Sequence, residues 1–222
     1  MGALIFDFDG VIADSEVLGS RALAEYITEL GFFRDTEYWL SRYVGLRWAD
    51  AIPLIEKDTG LSLPDNFPAL IRGRIHEKYE SELQEVEGVS AFLLRFAHVP
   101  RCIASSSSLK GLAHALELLD LNEAFGSNVF SAEQVARGKP HPDLFLFAAS
   151  QLGVARETCL VIEDSVNGVK AAVAAGMTAV GLCAGSHIRD GHSERLKEAG
   201  AVYLAQSWPD VADIARDFLR SA

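Results

Sequence analysis

The sequence predicts an α/β fold: a doubly wound, mostly parallel sheet interrupted after its first strand by an all-helical insertion. Three observations carry this. Short apolar runs alternate with helical patterns through the C-terminal two-thirds of the chain, the signature of strand–helix–strand units. The region from about Ser15 to Glu85 holds helical stripes but no convincing strand. The 222 residues, 49% of them hydrophobic, suffice for one α/β core and a small inserted subdomain.

Taken in order, the expected strands are Ala3–Phe6, Arg101–Ala104, Asn128–Phe130, Leu160–Ile162, Ala179–Leu182 and Val202–Leu204. Between them apolar residues recur three and four apart, as in Leu109, Leu112, Ala113, Leu116 and Leu119. Val166, Val169, Ala172 and Val173 form a second stripe, stopped by Gly176. In the insertion, Leu23, Tyr26, Ile27 and Leu30 make a stripe ended by Gly31. The expected domains are residues 1–14 with 86–222 as the core and 15–85 as the insertion. Polar junctions near Asp14-Ser15 and Gln84–Gly88 suit hinges.

Composition narrows the function. A formal net charge of −11, without a Lys/Arg cluster, argues against nucleic acid. No apolar run approaches the ~20 residues of a membrane helix. Met1–Asp7 lacks a basic region and is broken by Asp7, so it is expected to be a strand rather than a signal peptide. Cys102, Cys159 and Cys183 lie in apolar stretches read as strands, an odd count without close spacing. Buried reduced thiols and a cytoplasmic location are expected.

Four segments at strand ends bear chemistry. Asp7-Phe8-Asp9-Gly10-Val11 follows the first strand, where ligands of open parallel sheets bind. Its two carboxylates share a direction if strand geometry persists, and would repel without a cation or a proton. Such a pair suits phosphoryl transfer, with Asp7 attacking phosphorus and Asp9 protonating the leaving oxygen. A solvated strand-end turn explains the segment equally well. Ser105-Ser106-Ser107-Ser108 follows another strand and offers either a phosphate grip or a helix cap. In Gly138-Lys139-Pro140-His141-Pro142-Asp143 a rigid turn presents Lys139 to neutralise phosphate and Asp7, or leaves it solvated; His141 reads as a loop residue. Leu160-Val161-Ile162 ends in Glu163 and Asp164, hard oxygen ligands for Mg2+ or a helix N-terminus at Asp164-Ser165. Each signal is weak by itself. Their order lets one crevice collect nucleophile, acid, phosphate grip, cation and metal site.

With these motifs in this order, the chain resembles the haloacid dehalogenase superfamily, specifically its helical-cap phosphatases and β-phosphoglucomutase-like members. The resemblance runs from Ala3 to about Gly181. It implies a Rossmann-like core with the insertion as cap. It makes Asp7 the nucleophile and a metal ligand, and Asp9 the general acid/base with its carbonyl on the metal. Asp164 becomes a metal ligand and Glu163 a direct ligand or a carboxylate just behind. Ser105, with Ser106, and Lys139 become the phosphate clamp. Mg2+ is the implied cofactor and a small phosphorylated metabolite the partner, bound by a monomer or small homo-oligomer. Val11 departs from the threonine many of the phosphatases carry, although valine also occurs in the family. Asp14 falls where the family orders its catalytic loop; a helix cap or hinge acid explains it equally.

Specificity is expected from the cap. Tyr43-Val44-Gly45-Leu46-Arg47-Trp48 resembles the family's specificity loop, with Gly45 permitting close approach, Arg47 meeting a carboxylate or hydroxyl, and Trp48 lining the pocket or packing in the cap. Arg72, Arg74, His76 and Lys78 read as a solvated helix face. Ser81–Gly88 and Ser207-Trp208-Pro209 are similar to 6-phosphogluconate-type sugar phosphatases. A phosphatase for sugar or sugar-acid phosphates is therefore expected. The alternative is a phosphomutase with the same Asp7 chemistry, separated by turnover of β-glucose 1-phosphate. Asp9 argues against a dehalogenase, and the full residue set against a non-catalytic binding module.

Overall fold

The computed structural model describes residues 2–44, 46 and 48–221. It divides into two compact units, one of Met1–Asp14 with Gln84–Ala222, the other of Ser15–Leu83. The chain opens with β1 (Ala3–Phe6) and then runs through four helices, α1 (Glu16–Glu29), α2 (Thr36–Tyr43), α3 (Trp48–Thr59) and α4 (Phe67–Glu82). There follow α5 (Val89–Arg95), β2 (Arg101–Ser105), α6 (Leu109–Leu118), α7 (Asn122–Phe125), β3 (Val129–Ser131) and α8 (Asp143–Leu152). The chain ends with β4 (Cys159–Glu163), α9 (Val166–Ala174), β5 (Thr178–Leu182), α10 (His192–Glu198), β6 (Tyr203–Ala205) and α11 (Trp208–Ser221).

The six expected strands form one parallel sheet in the order β3-β2-β1-β4-β5-β6. β1 is buried on both faces, as expected of a parallel strand that reads as an unbroken apolar run. Its alternation still sorts side chains. Ala3 and Ile5, with Cys102, Val161 and Ala179, face a layer built by α8, α9 and α10. Phe6 points the other way, its ring 6.0 Å from Phe92, 5.8 Å from Phe125 and 5.9 Å from Trp208. Helices thus cover both faces, and the strand order reverses between β1 and β4. All three cysteines are buried and unpaired, with Cys159 pushed up to about 11 by burial. Cys183 is a correction to the strand reading. The β5 ladder ends at Leu182, although the Cys183 N–H still donates to Ala205 O at 2.8 Å.

The helical unit has its own core of Leu23, Ile27, Trp39, Ile55, Phe67 and Ile71. Trp48 packs against it, edge-on to Phe67 at 5.6 Å between ring centres. The basic stretch of α4 is more than a solvated face. Arg74 pairs with Glu29 at 2.6 Å and Lys78 with Glu25 at 2.8 Å, tying α4 to α1. Gly45 and Arg47, expected in a specificity loop, lie outside the described residues. Among the described residues no helix is long and apolar enough to cross a membrane.

Trp208 is a core residue. It is 1% exposed, packs tilted against Phe92 with ring centres 4.7 Å apart, and its Cβ lies 3.1 Å from where a Cβ on Gly88 would stand. Trp208→Ala is expected to cost about 3–5 kcal/mol of stability in urea denaturation. A change within the roughly 0.5 kcal/mol of a surface substitution would contradict this packing.

Candidate active site

β1 and β4 are neighbours at the point where the strand order reverses, and ligands of open sheets bind beyond the carboxyl ends of such strands. Asp7 stands one residue past β1, its N–H donating to Ile162 O at 3.0 Å and so prolonging the ladder. β4 ends in Glu163, followed at once by Asp164. The strand geometry does not continue to Asp9. The chain bends at Phe8, whose carbonyl accepts from the N–H groups of Val11, Ile12 and Ala13. Gly10 takes φ +75 in that turn.

Three of the four sequence segments meet at Lys139, and the serine run joins the first through Ser107 and Asp9. Its Nζ donates to Asp7 Oδ1 at 2.7 Å and to Glu163 Oε1 at 2.6 Å, and sits 5.1 Å from the centre of the Phe145 ring. Asp7, Lys139, Glu163 and Asp164 are all buried. Burial works against the Lys139 ammonium, yet the carboxylates of Asp7 and Glu163 hold its pKa above the ordinary value. Burial pushes the Asp7 carboxyl well up, and Lys139 offsets this in part. Burial and the nearby Glu163 charge push Asp164 well up also.

Glu163 is held from behind. Its Oε2 accepts from the Ser165 N–H at 3.0 Å and the Ser165 hydroxyl at 2.9 Å. The same Ser165 oxygen caps α9 by accepting from Gly168 N–H at 3.0 Å. Gly168 is required by space, since a Cβ there would fall 1.7 Å from Glu163 Oε1.

The serine run divides its tasks. Ser105 is buried at the end of β2, and its Oγ accepts from Ser107 N–H at 3.0 Å. Ser106 is exposed, and Ser108 caps α6. Ser107, which the sequence did not single out, donates its hydroxyl to Asp9 Oδ2 at 2.6 Å. His141 is an exposed loop residue, as expected. Asp14 is not the side-chain cap of α1. Its Oδ1 accepts from the N–H and hydroxyl of Ser186, at 3.0 and 2.8 Å. Two histidines also escaped sequence reading. His187 Nε2 lies 2.8 Å from Asp164 Oδ2, and His192 Nε2 lies 2.6 Å from the Asp164 carbonyl oxygen.

Asp7, Glu163 and Asp164 each offer an oxygen, all within 4.8 Å of one another. Three buried carboxylates stand against the Lys139 ammonium, and two of them have strongly raised pKa values. A hard divalent cation such as Mg2+ fits this donor set, because it takes one or two carboxylates and relieves their repulsion.

Fold and site together define a hydrolase of the α/β, helical-insertion type. The chain belongs to the haloacid dehalogenase-like hydrolases, whose family model matches residues 1–176. It is 31% identical over 186 residues to 6-phosphogluconate phosphatase of Escherichia coli, covering 83% of this chain and 84% of that one. A haloacid dehalogenase-like protein of Agrobacterium tumefaciens superposes with a TM-score of 0.87 at 31% identity, over 98% of both chains. A family hydrolase of Deinococcus radiodurans, solved with bound phosphate and sodium, superposes at 0.82 with 32% identity, over 99% of this chain and 97% of that one.

The packing of Gly168 on Glu163 makes a test of the charge cluster. Gly168→Ala must displace the Glu163 carboxylate, and with it the Lys139 ammonium, at an expected cost of about 1–3 kcal/mol. Denaturation curves measure this, and wild-type stability in the variant would show that the cluster is not held from that side.

Proposed function

We propose that the protein is a Mg2+-dependent phosphatase that hydrolyses a sugar or sugar-acid phosphate through a phospho-aspartate on Asp7. The observation that carries this is the position of Asp7, one carboxylate oxygen on the Lys139 ammonium, within a cluster suited to a cation. Asp7 attacks phosphorus, and the ester oxygen leaves with a proton from Asp9, giving aspartyl phosphate and the free alcohol. Water then attacks the same phosphorus, Asp9 takes its proton, and Asp7 is regenerated with release of phosphate. Lys139 and Ser105 grip the phosphoryl oxygens, with Ser106 beside them. When bound by Asp7, Asp164 and the Asp9 carbonyl, with Glu163 adjacent, Mg2+ supplies charge neutralisation between phosphate and carboxylates.

The substrate class rests on the relatives. One is a 6-phosphogluconate phosphatase, and a Thermotoga maritima protein 32% identical over 93% of this chain acts on phosphorylated carbohydrates, as its name states. We assign selection among such esters to the helical unit, as a cap, through Gly45 and Arg47, with Trp48 at the start of α3 beside them. The three buried thiols support a reducing, cytoplasmic setting.

A panel of phosphate esters with Mg2+, scored by phosphate release, tests the reading. Excess chelator is expected to abolish release, and Asp7→Asn to lower kcat by at least about 10³-fold with the fold intact. Asp9→Asn should slow both formation and breakdown of the phospho-enzyme, by roughly 10²–10⁴-fold each. Isomerised hexose phosphate without net phosphate release would make the enzyme a mutase. Full activity of Asp7→Asn would remove the nucleophile.

A further inference from the structure

The segment from Gly185 to His192 lies beyond the end of the family match at residue 176, yet it converges on Asp164. His187 is 5% exposed, and its Nε2 approaches Asp164 Oδ2 at 2.8 Å. Its ring sits in a seat made by two glycines. A Cβ on Gly10 would stand 2.8 Å from His187 Cε1, and one on Gly185 2.7 Å from the same atom. Gly10 belongs to the first motif, so the seat joins the turn after β1 to the loop after β5.

The loop is fastened at several points. Asp14 takes both the N–H and the hydroxyl of Ser186. Arg189 Nη1 donates to the carbonyls of Ser186 and Ile188, at 2.8 and 2.9 Å. His192 Nε2 meets the Asp164 carbonyl at 2.6 Å, while Arg195 Nη2 lies 3.1 Å from His192 Nδ1. A guanidinium has donors and no acceptor, so Nδ1 accepts, and Nε2 carries the hydrogen that the carbonyl receives. Arg195 thereby selects the tautomer that grips the Asp164 backbone.

We propose that His187 is a positioning residue for Asp164: its buried ring stands against Oδ2 and so leaves the other carboxylate oxygen to face the cation. The proposal rests on the reading of Asp7, Glu163 and Asp164 as the cation site. A carboxylate with a buried ring packed against one oxygen loses rotational freedom about its terminal bond, and outer contacts around a metal ligand typically contribute 10–100-fold to metal affinity. The backbone bond from His192 holds the same residue at its other end. The glycines at 10 and 185 then serve the ring as well as the turns they sit in.

Mg2+ is titrated calorimetrically into the metal-stripped full chain at neutral pH. His187→Leu is expected to bind Mg2+ about 10–100-fold more weakly than wild type. His187→Gln, whose amide nitrogen reaches the place of Nε2, should recover most of that loss. Gly185→Ala, which displaces the ring without touching a carboxylate, should weaken binding in the same direction. Thermal melts in chelator confirm that each variant is folded before titration. Wild-type affinity in His187→Leu overturns the positioning role, as does equal loss in the Leu and Gln variants, which would reduce His187 to packing. Absence of Mg2+ binding by wild type fails the cation-site reading itself, an outcome distinct from the others.

Discussion

A buried ammonium shared by two buried carboxylates sets the terms for the rest of this molecule. Lys139 bridges Asp7, from the end of β1, and Glu163, from the end of β4. Removing ions from water costs several kcal/mol each even after relaxation, and attraction repays this only when the geometry is held well. The holding is done by elements whose own stability comes from elsewhere. The β1–β4 ladder fixes the two acids in register, with Phe6 opposite Ile162. Ser165 and Gly168 at the start of α9 set Glu163, and the Phe145 ring of α8 lies beneath the ammonium. The sheet's reversal of order at β1 and β4 opens the space that these groups occupy.

The same arrangement leaves a deliberate imbalance. One ammonium faces three clustered carboxylates, and burial drives Asp7 and Asp164 toward their protonated forms. In the function proposed above, a cation and a phosphoryl group complete such a site, each neutralising what the other and the protein bring. This also reconciles a chain of net charge −11 with an anionic substrate, because attraction is needed within a few ångströms of Asp7 and not across the surface. The serines contribute in parallel: Ser107 restrains the Asp9 carboxylate, and Ser131 donates to the Ser107 carbonyl at 2.7 Å.

Much of this was legible because parallel strands buried on both faces are continuous apolar runs, and chemistry in such sheets gathers just past their ends. The six strands and the helical insertion follow from that, with strand ends displaced by about one residue at most. Asp7, Glu163 and Asp164 stand out for the same reason, and Lys139 for its Gly- and Pro-flanked turn ahead of α8. What escaped depended on turns and on distant partners. Nothing in four consecutive serines says that the third meets Asp9, since that is decided by the turn after β2. The pairs Arg74–Glu29 and Lys78–Glu25 join residues 45 and 53 positions apart. His187 follows β5 in an irregular loop and His192 opens α10 just after it, so no periodicity reports that both meet Asp164. Trp208 is a core residue packed on Phe6 and Phe92, a burial that its place in a short polar run did not reveal.

The central claim is that this charge arrangement makes Asp7 the group that receives phosphate. Rapid acid quench of the Mg2+-loaded enzyme during turnover of a phosphoryl-labelled sugar phosphate, followed by peptide mapping, tests it directly. The account predicts transient label on the peptide carrying Asp7, appearing before the bulk of the phosphate is released. Label on a serine or histidine, or steady phosphate release with no labelled protein at any quench time, would contradict it.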